Sequence, residues 1–471
     1  MVIPTYPGQT ILINFTRIMA QHATLNLTYF CPILMQPKKQ VLIIVYYWPP
    51  AGGSGVQRWV YFTKYLRDFG WEPVIYTVQN PEAPYQDESL LNEIPAGIKI
   101  IKENIWEPFG TYRKLAGIKE GQKIKSGVIA QEKKSFKRYL LKWIRANLFI
   151  PDPRINWISK GFRTLSAFLS TNKIDLIITS GPPHSAHLIG RRLHKKSNIP
   201  WIVDFRDPWT QVFNWNLLPR TSLVEKIHKS LELNVLKECD GLITVSHHCM
   251  KDLHKIYPVK NNEIITNGYD HLHTIYYSKE VKGKLEMLYT GVLSADRNPI
   301  QLWKSLATYL DTHPTIAVIF KLVFYGDIDT AICDSIQDAG LGKYTSFHPP
   351  VKHEEIIQIM QSSDLLLLIG VPNEPGVVTG KIFEYISTGK PILAVSPVQS
   401  DIEHILQETE TGINIPFEEI TNFDNTMADL ITILNTPIVP QSLNQKISKY
   451  HRKNLTGHLV NFLNKIISTR A

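Results

Sequence analysis

The chain has 471 residues, of which 44% are hydrophobic and 20% are charged, and its formal net charge is +9. This length exceeds what one ordinary hydrophobic core serves, so we expect two large domains, and the composition excludes general disorder. No apolar run reaches the roughly 18 residues that a membrane-spanning helix needs. The four cysteines lack metal-ligand spacing and are typical of reduced thiols in a cytoplasmic protein. The positive charge favours an anionic partner: a phosphate-bearing substrate, an acidic membrane surface or nucleic acid.

Residues 1–34 are polar and irregular and fit neither a secretion signal nor a transit peptide. Met35 opens a short polar stretch that leads directly into an apolar strand, as a bacterial start codon would. We expect a disordered extension or an upstream start. A mass measurement on the native protein would show whether these residues belong to it.

From Val41 onward, apolar strands alternate with helical segments. Such a series predicts parallel sheets covered on both faces by helices, which is the α/β class. We predict two doubly wound Rossmann-like domains, residues 35–275 and 280–440, that face a central cleft at the carboxyl ends of their strands. Helices within residues 441–471 then follow and can cross back to the first domain. The predicted strands are residues 41–47, 73–78, 174–179, 201–203, 241–245, 285–289, 317–325, 364–369 and 391–395.

The segment of residues 110–150 interrupts this rhythm as a basic insertion. On a helical projection its lysines and arginines lie mostly on one side, and Phe136, Leu140, Trp143 and Ile144 lie on the other. A basic amphipathic helix with aromatic residues is typical of an anionic membrane interface, so residues 133–150 predict peripheral membrane contact. The alternative is an ordinary surface helix packed on its own domain. Support for nucleic-acid binding is confined to this one segment, and we do not expect it.

Polar and glycine-rich segments follow several of the predicted strands. Gly52 and Gly53 open the helix after the first strand, where backbone can approach an anion closely; a plain tight turn is the alternative. His184 and His187 follow the strand of residues 174–179 and can polarise a hydroxyl or phosphate or hydrogen-bond a sugar. A structural role is equally open for each histidine.

Arg206 and Asp207 follow the strand of residues 201–203, together with Asp204. Charges there are costly to bury unless they pair with one another or with a ligand. We interpret Arg206 or Asp207 as lying near the acceptor or the donor phosphates, and an ion pair that braces the loop is the alternative. Asp327 and Asp329 form an Asp-x-Asp, which we interpret as a loop or helix cap rather than a metal site.

The second half carries the segments that suit a nucleotide diphosphate. Gly291 follows its first strand, and Arg297 stands at a helix start, where a guanidinium can contact phosphate in bidentate fashion. Gly380 leads into a helix on which Lys381 and Glu384 share one face. A lysine can hold a diphosphate while a glutamate accepts both hydroxyls of a ribose. Without further context, an exposed ion pair would explain these two residues.

In their order and spacing these segments resemble glycosyltransferase family 4, whose members have the GT-B architecture of two Rossmann-like domains. The resemblance runs from about Met35 to the C-terminus and includes the Asn-Gly-x-Asp segment at Asn267 and the Gly-Lys-Pro at Gly389. Two departures concern the donor site. Family members often carry a basic pair after the glycine of the first C-domain strand, and Val292 occupies its arginine position. They also often carry a glutamate eight residues before the ribose ligand, where this chain has Gly376.

The resemblance implies a retaining glycosyltransferase of the hexosyltransferase type, which uses a UDP- or GDP-sugar without a bound metal or other cofactor. It implies that Glu384 binds the ribose and that Arg297 and Lys381 stabilise the leaving diphosphate. His184 or His187 would orient the donor or acceptor. A cell-envelope or lipid-linked glycan acceptor, and hence polysaccharide biosynthesis at the inner face of the membrane, is the expectation. The alternatives are a nucleotide-sugar epimerase of the same fold and a non-catalytic nucleotide-sugar-binding protein.

Overall fold

The computed structural model describes residues 38–83, 85–107, 136–212, 215–271, 283–418, 420, 422–436 and 440–470. The predicted extension at residues 1–34 and most of the basic insertion lie outside these residues. Within them the chain forms two parallel sheets, one of seven strands and one of six. Helices and apolar side chains cover both faces of each sheet. The predicted α/β fold class is therefore confirmed.

The first sheet has the strand order β3-β2-β1-β4-β5-β6-β7. Its strands are β1 (Lys39–Ile44), β2 (Trp71–Val78), β3 (Lys99–Glu103), β4 (Leu176–Gly181), β5 (Trp201–Phe205), β6 (Gly241–Thr244) and β7 (Asn262–Ile264). The helices of this half are α1 (Ser54–Leu66), α2 (Phe136–Leu148), α3 (Ile155–Leu169), α4 (Ser185–Ser197), α5 (Ser222–Glu238) and α6 (His247–Ile256). β1 lies between β2 and β4, so the strand order reverses at the β1–β4 pair, and a ligand crevice opens at such a point.

The second sheet repeats this order as β10-β9-β8-β11-β12-β13. Its strands are β8 (Leu285–Thr290), β9 (Phe320–Tyr325), β10 (Thr345–His348), β11 (Leu365–Ile369), β12 (Ile392–Val395) and β13 (Gly412–Ile415). The helices are α7 (Ile300–Thr312), α8 (Pro314–Ile319), α9 (Thr330–Asp338), α10 (His353–Ser362), α11 (Lys381–Thr388), α12 (Asp401–Thr409), α13 (Phe423–Asn435), α14 (Pro440–Ile447) and α15 (Arg452–Ser468). The reversal here lies at β8 and β11, next to the loops that carry Gly291 and Gly380.

One predicted strand was wrong in its first third. Residues 317–325 form an apolar run, but the helix α8 occupies its beginning and β9 starts only at Phe320. Pro314 takes the first helical position, where its fixed φ and missing N–H favour a helix start. An apolar run by itself does not distinguish a buried strand from a helix.

The chain crosses between the two halves twice, and the two crossings pair side by side. The Tyr269 amide donates to the Tyr450 carbonyl (3.1 Å), and the Arg452 amide donates to the Tyr269 carbonyl (2.9 Å). Gly268 permits this approach, because a Cβ there would lie 2.2 Å from the Tyr450 carbonyl oxygen. Asp270 then fixes the first crossing to α1 by accepting hydrogen bonds from two α1 side chains. We call the paired segments 266–271 and 448–452 the hinge.

The last helix, α15, packs against α1 of the first half. Its apolar side chains join the core cluster on one face of the first sheet; they are Leu455, Leu459, Val460, Phe462, Leu463 and Ile466. The chain therefore returns to its first half after completing the second, and the hinge lies where it does so.

Candidate active site

The ammonium of Lys381 lies directly over Gly291, the glycine that follows β8. Its Nζ donates to the Tyr289 hydroxyl (2.9 Å) and stands 4.4 Å from the centre of the Tyr289 ring. Gly291 has φ +96°, and a Cβ there would meet the Lys381 Nζ at 2.7 Å. Any other residue at this position would therefore displace the lysine. Helix α11 and the loop after β8 together hold one cation at the strand-order reversal.

The same site depresses the basicity of this lysine. Removal from water lowers the pKa of Lys381 to about 7, and the positive charge of Arg297 adds to the effect while Glu384 opposes it. Arg297 ends the short 3₁₀ helix after β8, so it approaches the lysine from the neighbouring segment. Two cations held together in a desolvated site form a receptor for an anion, since an anion relieves their mutual repulsion.

Helix α11 begins at this site without a side-chain cap, because Gly380 is its N-cap residue. The positive end of its dipole therefore lies at the base of Lys381, while the Ile382 and Phe383 amides donate to the Thr379 and Gly380 carbonyls within the turn (3.3 and 3.2 Å). Tyr385 anchors the helix by accepting a hydrogen bond from the Thr290 amide (3.1 Å) at the end of β8. Glu384 lies in the first turn, and its carboxylate complements the dipole.

Glu384 is half-buried and meets charged groups from several elements. Burial raises the pKa of its carboxyl, while His353, Arg452 and Lys381 lower it. Tyr85, from the other half of the chain, is close enough that Glu384 raises the pKa of its phenol, after the larger effect of burial. Glu384 therefore lies where the two halves face each other.

The glycine-rich turn after β1 supplies the opposite wall. The Gly52 amide donates to the Tyr85 carbonyl (2.9 Å), and a Cβ on Gly52 would lie 2.2 Å from the Tyr85 ring. Gly53 has φ +117° and is the N-cap residue of α1. Gly53 thus permits the positive φ before α1, and Gly52 leaves room for the Tyr85 ring. Tyr85 itself carried no signal in the sequence.

Both histidine rings crowd Gly181 at the end of β4. A Cβ there would lie 2.5 Å from His187 Nε2 and 3.0 Å from His184 Nδ1. His187 is fully buried against Phe205, and burial lowers its pKa to about 3. His184 is half-buried and stacks on Trp209, with ring centres 4.6 Å apart. Burial also lowers the pKa of His184, so both rings are neutral near pH 7. A ligand in the cleft would meet His184, whereas His187 supports the strand from within.

The charged residues at the end of β5 and directly after it differ in burial and in their partners. Asp204 is fully buried and binds both Nε (3.2 Å) and Nη2 (3.0 Å) of Arg58. Arg206 donates to the Pro182 carbonyl (2.6 Å), and its guanidinium occupies the space beside Gly55. Asp207 is exposed at the cleft, although the surrounding protein raises the pKa of its carboxyl and Arg206 lowers it. Asp204 therefore has the bracing role, and Arg206 is held against the loop between β4 and α4.

The surroundings of Val292 and Gly376 are consistent with the two departures from the family pattern. Val292 is 62% exposed, and Lys381 brings a cation to the glycine beside it. A Cβ on Gly376 would lie 2.7 Å from the His248 Cβ, because the Ser246 hydroxyl holds the Gly376 carbonyl (2.9 Å). The loop packs too closely on α6 to carry a glutamate there.

Asp329 caps α9 through the Ala331 amide (3.0 Å), as the Asp-x-Asp interpretation predicted.

The first half of the chain matches a known family. Residues 53–271 match the model of the family described as Glycosyltransferase Family 4. The protein is a glycosyltransferase. The match runs from Gly53 through the histidine segment to the end of the first half, and a search of curated proteins finds no match.

Solved structures resemble this glycosyltransferase over most of its length and show that its fold is GT-B. Sucrose-phosphate synthase from Thermosynechococcus elongatus matches with a TM-score of 0.58 and 13% identity, covering 92% of this chain and 100% of that one. Anabaena HepE in complex with UDP matches with a TM-score of 0.57 and 13% identity, covering 91% and 100%. The lipopolysaccharide outer core galactosyltransferase WaaB matches with a TM-score of 0.56 and 14% identity, covering 91% and 99%.

Proposed function

We propose that this glycosyltransferase transfers a sugar from a nucleoside diphosphate donor, with retention of anomeric configuration, to a lipid-linked or cell-envelope glycan. The observation that carries the proposal is the Lys381 ammonium over Gly291, beside Arg297 and the uncapped start of α11. Two cations and the positive end of a helix dipole act at one place there, which suits a diphosphate. Glu384, in the same helical turn, is then available to accept hydrogen bonds from the ribose hydroxyls.

The chemistry follows from charge. As the bond to the sugar breaks, negative charge grows on the leaving diphosphate, and pre-positioned cations stabilise that charge more than they stabilise the intact donor. Lys381 and Arg297 supply them, with the α11 dipole behind. His184, neutral and stacked on Trp209, would orient a sugar hydroxyl, and Arg206 or Asp207 would face the acceptor. No metal or other cofactor enters this scheme.

The nature of the donor is supported by one structural neighbour, since HepE is described in complexes with UDP and with UDP-glucose. A thermal-shift screen against UDP, GDP, ADP and their sugars tests it, because a ligand that binds the folded state raises Tm. We expect UDP or GDP compounds to raise Tm in wild-type protein and much less in Glu384→Gln. If no nucleotide stabilises the wild type, the proposal is wrong.

Release of nucleotide separates transfer from the two alternatives. A transferase releases free nucleoside diphosphate only when acceptor is present, an epimerase converts donor without acceptor, and a binding protein does neither. Incubation of labelled nucleotide sugar with and without a membrane-lipid extract, followed by chromatography of nucleotide and sugar, distinguishes the three.

The acceptor assignment rests on the surface around α2. No helix among the described residues has the length and apolarity needed to cross a membrane. The exposed face of α2 nevertheless carries Tyr139, Leu140 and Leu148, of which Leu148 is 61% exposed. Arg145 lies close enough to Arg220 to lower the pKa of that guanidinium, after the larger effect of burial. Apolar side chains beside clustered cations suit an anionic bilayer, at the inner face of the cell membrane.

Vesicle flotation tests this surface. We expect the protein to float with vesicles rich in phosphatidylglycerol and not with pure phosphatidylcholine, and added salt to release it. Leu148→Ser should weaken flotation, while Val318→Ser, which alters a more exposed apolar residue on α8, should not. Equal flotation of both variants would refute the assignment.

A further inference from the structure

The loop that leads into α11 is held by a residue of the first half. We call this loop, residues 370–380 between β11 and α11, the donor loop. The Ser246 hydroxyl, at the N-cap position of α6, donates to the Gly376 carbonyl (2.9 Å). A Cβ on Gly376 would lie 2.7 Å from the His248 Cβ, so the loop backbone lies directly against the start of α6. The first half therefore supports the segment that leads to Lys381.

A buried aspartate of the second half completes the same contact. Asp401 begins α12, and its carboxylate accepts hydrogen bonds from the His247 amide (2.8 Å) and the His248 amide (3.2 Å) of α6. The carboxylate also pairs with His248 Nδ1 (2.7 Å). The Asp401 amide donates to the Pro375 carbonyl of the donor loop (2.9 Å). The His247 and His404 rings meet edge to face, with centres 5.3 Å apart. Asp401 thus joins α6 to the second half with its side chain and holds the donor loop with its backbone.

The hydrogen bonds of Ser246 and Asp401 form a closed circuit through α6, α12 and the donor loop. The first amides of a helix have no partner within it, and the Asp401 carboxylate supplies one for α6 from the other half of the chain. Its charge also lies at the positive end of the α6 dipole. A buried carboxylate is stable only while its donors stay in place, so the contact resists separation of the two halves at α6. Removal of either the hydroxyl or the carboxylate opens the same circuit.

We propose that Ser246 and Asp401 are positioning residues for the donor site, which fix the donor loop, and with it the start of α11, against the first half. This role rests on the proposed binding of the diphosphate by Lys381. Gly376, where family members often carry a glutamate, is here the residue through which the loop is held. The second half then binds the nucleotide, and α6 of the first half sets the loop that leads to the binding residues. Donor affinity therefore depends on the contact at α6.

Hydrogen exchange of the free protein tests this support without any ligand. The Val377 amide donates to the Glu374 carbonyl within the donor loop (3.2 Å), so its exchange reports whether the loop keeps its structure. Ser246→Ala lies in the first half, yet we expect it to speed exchange in a peptide covering residues 374–380 about tenfold, for the loss of one hydrogen bond. Thr221→Ala is the matched control, because Thr221 is likewise a hydroxyl N-cap, that of α5. It should leave the peptide at the wild-type rate. An unchanged rate in Ser246→Ala would overturn the inference.

Donor affinity tests what the support is for. Calorimetry with UDP-glucose, at a temperature well below the Tm of every variant, measures it on folded protein. We expect Ser246→Ala and Asp401→Ala each to weaken binding about tenfold, and the double variant to bind about as weakly as either one, because each opens the same circuit. Thr221→Ala should bind like the wild type. A purely structural role would lower Tm and leave the affinity unchanged, and that result would overturn the inference. So would a loss of about a hundredfold in the double variant, since it would show two independent effects.

Two further outcomes are distinguishable. If Asp401→Ala does not fold, Asp401→Asn takes its place: it keeps one acceptor oxygen but turns an NH₂ group toward the α6 amides. We expect this variant to bind UDP-glucose more weakly than the wild type, and wild-type affinity would overturn the inference. If the wild type does not bind UDP-glucose, the proposed nucleotide site is wrong. The exchange of residues 374–380 in Ser246→Ala still decides whether the first half supports the donor loop.

Discussion

The titration of Lys381 offers the sharpest test of the diphosphate site. Its pKa is lowered to about 7, whereas the diphosphate of a nucleotide sugar needs the protonated form. Binding above pH 7 must therefore include uptake of a proton. The cost grows by about 1.4 kcal/mol, or tenfold in affinity, for each pH unit above the pKa. We expect the affinity for UDP-glucose to fall only about twofold from pH 6 to 7 and about tenfold between pH 7.5 and 8.5.

Calorimetry in two buffers of different ionisation enthalpy measures this directly, since the difference in apparent enthalpy gives the number of protons taken up. At pH 8 the wild type should take up nearly one proton per donor bound. Lys381→Met should take up no proton on binding, and its affinity should no longer fall above pH 7. At pH 6 it should bind the donor roughly 10- to 100-fold more weakly than the wild type, because a charge-assisted hydrogen bond contributes about 1.5–3 kcal/mol. Lys304→Met, which removes an exposed lysine from α7, should behave like the wild type. Proton uptake that persists in Lys381→Met would refute the reasoning.

Three further predictions concern the same architecture. Gly291→Ala should lower donor affinity as much as Lys381→Met does, because its Cβ would lie 2.6 Å from the Lys381 Cε; an unchanged affinity in calorimetry would contradict this. Asp204→Asn should destabilise the protein by about 3–5 kcal/mol in urea unfolding, since it leaves the buried Arg58 guanidinium without its carboxylate; a loss below about 1 kcal/mol would show that the pair is dispensable. Lys381→Met should raise Tm at pH 7. The pKa of Lys381 is lower in the native state than in the unfolded chain, so the native state binds fewer protons from pH 7 up to about 10.5, and wild-type stability rises with pH across that window. The destabilisation caused by the buried lysine is therefore fully present at pH 7. A lower Tm at that pH would mean that the lysine stabilises the fold.

The fold was predictable because its central strands are apolar on both faces. Residues 41–47 and 364–369 stand out in the sequence for this reason, and they became the strands beside each reversal of strand order. The edge strands were missed, because a half-exposed strand such as Lys99–Glu103 mixes charged and apolar residues. Pattern alone also gave no way to divide residues 317–325 between a helix and a strand.

The candidate site was predictable only where residue type and position agree. Lys381 and Glu384 follow a buried strand and open a helix, so the sequence indicated their common face. Tyr85 and Arg452 gave no signal, because they reach the cleft from segments about 300 and 70 residues away in the chain and only the packed hinge brings them together. Gly268 did give one: the Asn-Gly-x-Asp segment is where the crossings touch and where Asp270 binds α1. Its physical role became clear only from the pairing.

A crystal structure of the protein with UDP tests the central claim most directly. The account predicts the diphosphate within hydrogen-bonding distance of Lys381 Nζ, with both ribose hydroxyls on the Glu384 carboxylate. A nucleotide bound in the cleft without contact to Lys381 or Glu384 would contradict it, and so would a nucleotide bound elsewhere on the protein.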